Sequence, residues 1–298
     1  MHRIGFHVRN MKEYDLVTNL RGVNLIEIKP ESFERKDNVQ FWRFNGKDFI
    51  PNLNLISYVS GQCARKDIDI QIHMPFETKH DSYFEVGLCQ ADRLHHDLLL
   101  KKYDMIGNLN AWHGFGKTLT VHPPAFMFKG EKMCGVGEAL DAGRELYWRL
   151  DQLKKQKGYE FKVGLENMTP PKNKGTSMLG FTPKHLDFLI GDTSGIGITM
   201  DSGHRNLSNE MHISTLFRYA LIVNCHFHSN PGVFSEIDYD DDKHELATPD
   251  NLPNYGRYVK SFRRFNIPVV LEIGDLMKHN PRELEKCVSN LRREIELN

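Results

Sequence analysis

At 298 residues the chain can bury a sizeable core, either as two small domains or as one large α/β unit. Its 39 lysines and arginines balance its 39 aspartates and glutamates, so no global electrostatic bias draws it to nucleic acid or an anionic membrane, although a local basic rim is compatible with that balance. Five scattered cysteines without a CxxC pair argue against a disulfide scaffold or zinc ribbon, and no apolar window reaches membrane-span length or follows a basic leader, so a soluble, reduced, cytoplasmic protein is expected.

The first apolar run, RIGFHV, reads as a strand, and NLIEIKP, DIQIHMP and KTLTVHP follow as three more. Between the third and fourth, DRLHHDLLLKKY has a helical pattern in which His95 and His96 are expected to be structural or superficial. GVGEALDAGRELYWRLDQL places Val136, Ala139, Leu140, Leu146, Leu150 and Leu153 at helical spacing. KVGLENM is the fifth strand, and Thr182 followed by Pro183 opens the next helix as N-cap and first-turn proline. GIGITMD, LIVNCHF and IPVVLEIG complete eight strands, and Asn280, Pro281 and Glu283 repeat the helix-start signal before NPRELEKCVSNLRREIEL.

The strands are continuous apolar runs rather than alternating ones, which is how parallel strands covered on both faces appear. Strands alternating with helices eight times predict an α/β fold, a single (β/α)8 barrel over residues 1–298; a doubly wound open sheet is the alternative. The polar insertions 169–177 and 229–254 follow the fifth and seventh strands and fall on the rim where such barrels carry chemistry.

That rim is where the strands end on metal-ligand side chains: His73, His122, Glu166, Asp201 with His204, His226 with His228, and Glu272, with Asp242 and His244 in the loop after the seventh strand. A lone strand-end carboxylate is as often a helix cap or an ion-pair partner, but so many in one register point to a convergent site. Nitrogen and carboxylate ligands without thiolate suit zinc, manganese or iron. Four carboxylates facing three divalent ions leave a positive cluster, which favours an anionic substrate such as a phosphodiester, whereas one ion would leave a negative one. His226 and His228 are two apart on a strand and share a face, so one can bind metal while the other supports it or meets substrate. GKT at 116–118 is not a phosphate loop, because Ala111 stands where a glycine is needed and Lys117 enters a strand.

In this ordered set the sequence resembles the endonuclease IV family of apurinic/apyrimidinic endonucleases, among the xylose-isomerase-like barrels. The resemblance implies a metal-dependent DNA-repair hydrolase with three zinc ions, manganese or iron replacing some of them. His73, His122 and Glu166 would hold the first ion, Glu166, Asp201, His226 and Glu272 the second, and His204, Asp242 and His244 the third. Glu166 and Glu272 would be the catalytic carboxylates around a bridging hydroxide, with His228, Lys243 and Arg205 touching abasic or damaged DNA or another phosphoester. The chain departs from the family in the loops MPFETKHD and MTPPKNKGTS, in His226-Phe227-His228-Ser229 and in Asp242-Lys243-His244, all of which bear on substrate rather than metal. A sugar isomerase or epimerase of the same barrel group needs only one ion on Glu166, Asp201, His226 and Glu272, with the two glutamates exchanging protons at carbon. A binding protein whose metals only shape a pocket is the non-enzymatic alternative.

Overall fold

The structure, a computed structural model, describes residues 1–74, 91–128, 130–171, 176–207, 222–230 and 243–297. All eight expected strands form: β1 (Ile4–Val8), β2 (Leu25–Ile28), β3 (Asp69–His73), β4 (Thr118–Val121), β5 (Lys162–Glu166), β6 (Ile196–Asp201), β7 (Ile222–His226) and β8 (Val269–Leu271). They close into one parallel barrel in which each strand pairs with its neighbours in sequence and β8 pairs back onto β1. The open-sheet alternative is thereby excluded. Helices separate the strands: α1 (Met11–Thr18), α2 (Pro30–Asp37), α3 (Leu53–Arg65), α4 (His96–His113), α5 (Val136–Lys157), α6 (Pro183–Ile190), α7 (Ser202–Leu207), α8 (Tyr255–Phe265) and α9 (Pro281–Leu297). Among the described residues no helix is long and apolar enough to cross a membrane.

The strands read as continuous apolar runs because their outward side chains, such as Ile70, Ile72, Leu119, Val163, Leu165 and Ile198, are buried under the helices. α5 turns Ala139, Ala142, Leu146 and Leu150 inward at three- and four-residue spacing, while Val136, in its first turn, stays 37 % exposed. Thr182 Oγ1 accepts the His185 amide at the start of α6, and Asn280 Oδ1 accepts the Arg282 amide at the start of α9, the two caps expected from sequence. His95 is half-buried and His96, in the first turn of α4, is fully buried. Lys117 leads into β4 and pairs with Asp69, which confirms that GKT opens a strand.

The inward side chains are polar. Thr120 Oγ1 donates to Glu27 Oε1 at 2.8 Å and lies 3.2 Å from Thr199 Oγ1, and Asn224 Nδ2 donates to the same Glu27 oxygen at 3.2 Å. Barrel interiors of this class are usually filled by branched apolar residues; here the layer beneath the rim is a hydrogen-bonded floor built around one carboxylate. Short antiparallel strands decorate the connections, Trp42–Phe44 against Phe49–Pro51, and Ala125–Phe128 between Glu131–Lys132 and Ser177–Met178. These are too short and irregular to carry a periodic signal in the sequence.

Candidate metal centre

Glu166 ends β5, Asp201 ends β6, His226 ends β7 and Glu272 follows β8, so each sits at a carboxyl end of a strand. Strand pairing fixes them in register, with Asp201 opposite His226 and His226 opposite Val270. Each of the four offers one donor atom, and these atoms lie within 4.8 Å of one another. His226 Nδ1 stands at the centre, 3.1 Å from Glu166 Oε1, 3.1 Å from Glu272 Oε2 and 3.6 Å from Asp201 Oδ2. Its other nitrogen, Nε2, is 2.9 Å from Glu27 Oε2.

The charges of this cluster do not balance. Burial alone would lower the His226 pKa, but Glu27, Glu166 and Glu272 outweigh it and hold the imidazole well above its ordinary value. Burial opposes ionisation of Glu166 and Glu272; His122 and His226 around the first, and His244, His226 and His7 around the second, hold both carboxyls well below the usual range. Glu27 and Asp201 are lowered in the same sense, burial again opposing and histidines prevailing. Three buried carboxylates and the partly open Glu272 thus crowd around His226. Glu166 Oε2 is buried without an aligned hydrogen-bond partner. An oxygen-rich, thiolate-free donor set with surplus negative charge and an orphaned carboxylate oxygen fits a divalent cation.

A cation taken up here must displace the proton on His226 Nδ1. Because the folded histidine holds its proton above its ordinary pKa of 6.5, one proton leaves for each ion bound below that value. Apparent zinc affinity should therefore rise about tenfold per pH unit between about pH 5 and 6.5. Calorimetry in buffers of different ionisation enthalpy checks this, and pH-independent affinity would contradict it.

The remaining sequence candidates divide. His73 Nε2 and His122 Nε2 lie 3.2 Å apart and approach Glu166 Oε2 at 3.4 and 2.9 Å, with the His73 ring stacked on His226. Burial lowers the His122 pKa to about 4 against the pull of Glu166. His204 Nδ1 is 2.9 Å from the Asn167 carbonyl and 3.5 Å from Glu166 Oε1. It joins no set of mutually close donors with His244 among the described residues, where the sets are His73, Glu166 and His226; His228, His244 and Glu272; and the four-residue set above. Asp242, the third member of the site expected with His204 and His244, lies outside the described residues.

His228 is fully buried, its Nε2 2.9 Å from Asp201 Oδ2 and its ring stacked at 4.3 Å on His244. It stands against Asp201 and also belongs to the donor set with His244 and Glu272. Lys243 is exposed, and Arg205 is half-buried near Tyr258. Sequence reasoning missed two members of the site. Glu27 is fully buried, and His7, 2 % exposed, has Nδ1 3.3 Å from Glu27 Oε2 and 3.5 Å from Glu272 Oε1. Burial holds His7 down at about 4 despite the carboxylates beside it. The available signal was an ionisable residue inside an apolar strand, LIEI and IGFHV, rather than at its end.

No protein-family model matches the chain, and no curated protein matches it in sequence. Solved structures match it along its whole length. A D-tagatose 3-epimerase-like protein superposes with a TM-score of 0.66 at 19 % identity, covering 99 % of this chain and 97 % of its own. An L-ribulose 3-epimerase gives 0.65 at 13 %, covering 100 % and 98 %. A 3-keto-D-glucoside 4-epimerase from E. coli gives 0.63 at 15 %, covering 98 % and 100 %. These comparisons overturn the expectation of an endonuclease IV-like phosphodiester hydrolase acting on abasic DNA, since the structures that share the architecture end to end are sugar epimerases. The physical reason is that His, Asp and Glu at strand ends are what any chemistry on this rim requires, so their order along the chain reports the barrel and not the reaction. What the chain shares with these epimerases, and with a xylose isomerase domain protein from Planctomyces limnophilus, is the closed barrel fold.

Proposed function

We propose that the chain is a metal-dependent sugar epimerase or isomerase that moves a proton at the carbon beside the carbonyl of a keto sugar. The observation that carries this reading is the convergence of Glu166, Asp201, His226 and Glu272 on one point at the mouth of the barrel. Full-length likeness to sugar epimerases supports the substrate class. When bound, a divalent cation there polarises the carbonyl and an adjacent hydroxyl and so acidifies the hydrogen between them.

The chain supplies the rest. Glu166 and Glu272 stand three strands apart around the ring; one, as the carboxylate, accepts the proton from carbon, and the other, once it has taken a proton from a substrate hydroxyl or from solvent, returns it to the opposite face. Asp201 and His226 are fully buried and fix the geometry, with His228 behind Asp201. His122 and His244, 12 % and 22 % exposed at the side chain, are the rim groups placed to hydrogen-bond sugar oxygens.

The protein loaded with manganese, cobalt or zinc should put solvent deuterium into D-tagatose, D-psicose, D-fructose or L-ribulose at the carbon beside the carbonyl and produce the epimer, both followed by NMR. A protein that holds its metal and exchanges no carbon-bound hydrogen in any of these sugars, or in a keto-glucoside, would defeat the reading. A second cation on His73, His122 and Glu166 Oε2 is favoured by the approach of both Nε2 atoms to that orphaned oxygen. Elemental analysis separates one ion per chain from two.

A further inference from the structure

Glu27, the carboxylate beneath the cluster, is in none of the candidate sets of cation ligands among the described residues, yet it meets four side chains of the barrel interior. We infer that Glu27 is a positioning residue that holds His226 with its Nδ1 lone pair aimed at the cation; this rests on the cation site proposed above but not on the identity of the sugar. An imidazole carries one proton when neutral, and whichever nitrogen keeps it cannot bind metal. His226 Nδ1 faces Glu166, Asp201 and Glu272, so metal binding requires the proton on Nε2. Nε2 lies 2.9 Å from Glu27 Oε2, an ion-pair approach that lacks the alignment of a hydrogen bond.

Glu27 is itself fixed. Its Oε1 accepts Thr120 Oγ1 at 2.8 Å and Asn224 Nδ2 at 3.2 Å, and both donors are fully buried on neighbouring interior positions of β4 and β7. Its Oε2 also faces His7 Nδ1 at 3.3 Å, and His7 in turn stands 3.5 Å from Glu272 Oε1. One carboxylate from β2 therefore braces a ligand from β7 and, through His7 of β1, the glutamate that follows β8. Carboxylates behind metal-binding histidines set tautomer and ring orientation in this way, and their removal typically weakens binding by about 10–100-fold. A buried glutamate kept only for stability would make the same contacts with Thr120 and Asn224 but would leave the His226 tautomer and the metal affinity unmoved.

The test uses the full chain with zinc as the probe. Long-range 1H–15N spectra of the metal-free protein, taken at alkaline pH where the imidazole is neutral, should show His226 protonated at Nε2, and zinc titration should shift Nδ1 alone. Glu27→Gln keeps the volume and should weaken zinc binding by about 10–100-fold, with the Nε2–H population of metal-free His226 reduced. Thr120→Val, which leaves the Glu27 charge but removes one of its anchors, should weaken zinc binding by a smaller factor, about threefold or more, in the same direction. A folded Glu27→Gln protein with zinc affinity within about twofold of wild type and the Nε2–H tautomer retained overturns the inference. If Glu27→Gln does not fold, Thr120→Val decides, and unchanged affinity and tautomer overturn it. If wild type binds no zinc, the cation reading fails separately, and the tautomer in the two metal-free variants alone supports or overturns the role of Glu27.

Discussion

Glu166→Gln and Glu272→Gln should each lower keto-sugar turnover by about 10²–10⁴-fold, the range that positioned acid–base groups contribute. The amide keeps the shape of each side chain and takes away the proton-accepting oxygen. Glu166 is also engaged on both sides, Oε1 toward His226 at 3.1 Å and Oε2 toward His122 at 2.9 Å, so its neutralisation should also weaken metal binding. Glu272, more open at 15 % exposure and bordered by His244, should retain more of the metal. Initial rates, deuterium wash-in and metal content on the same samples check all three statements. A Gln variant of either residue with wild-type turnover removes it from the proton-transfer pair.

Gly203→Ala should cripple the site without touching a ligand. A Cβ at this position, the second residue of α7, would lie 2.1 Å from His228 Cε1 and 2.4 Å from its Nδ1. The ring has nowhere to retreat. It is fully buried, its Nε2 holds Asp201 at 2.9 Å, and its amide donates to Ser202 Oγ at 3.0 Å. Relief of the overlap must displace Asp201 or the turn that carries it. Overpacking of this kind costs about 1–3 kcal/mol, so thermal melting should fall by several degrees. Metal affinity should drop with it, because one of the four donors moves. A Gly203→Ala protein with unchanged melting temperature and unchanged metal affinity would show that His228 does not brace Asp201.

Much of this molecule was written in its sequence. Apolar runs such as GIGITMD and KVGLENM read as parallel strands because helices outside and side chains inside bury both faces, and burial on both faces leaves only hydrophobicity to see. The side chains that end those runs, Glu166, Asp201 and His226, were legible for the same reason: a charge that stops an apolar strand can only sit at its rim. That Glu166, Asp201, His226 and Glu272 meet followed from the resemblance; how the other rim histidines are placed did not. His204 and His244 are both rim residues, yet the close donor sets join His244 to His228 and Glu272 and leave His204 on the Asn167 carbonyl. That outcome depends on shear and stagger around the ring and on loop paths, which no local pattern encodes.

His7 and Glu27 were hidden in the opposite way. Each is a polar residue inside a strand that otherwise reads as core, and a sequence cannot tell an interior position over a polar floor from a misfit in an apolar wall. By itself the sequence determined the barrel, the rim and the types of donor on it, because these follow from periodicity and from where charge can be tolerated. Tertiary structure alone decided that His228 stands behind Asp201 and that Glu27 stands behind His226, because those contacts join different strands and exist only once the ring is closed.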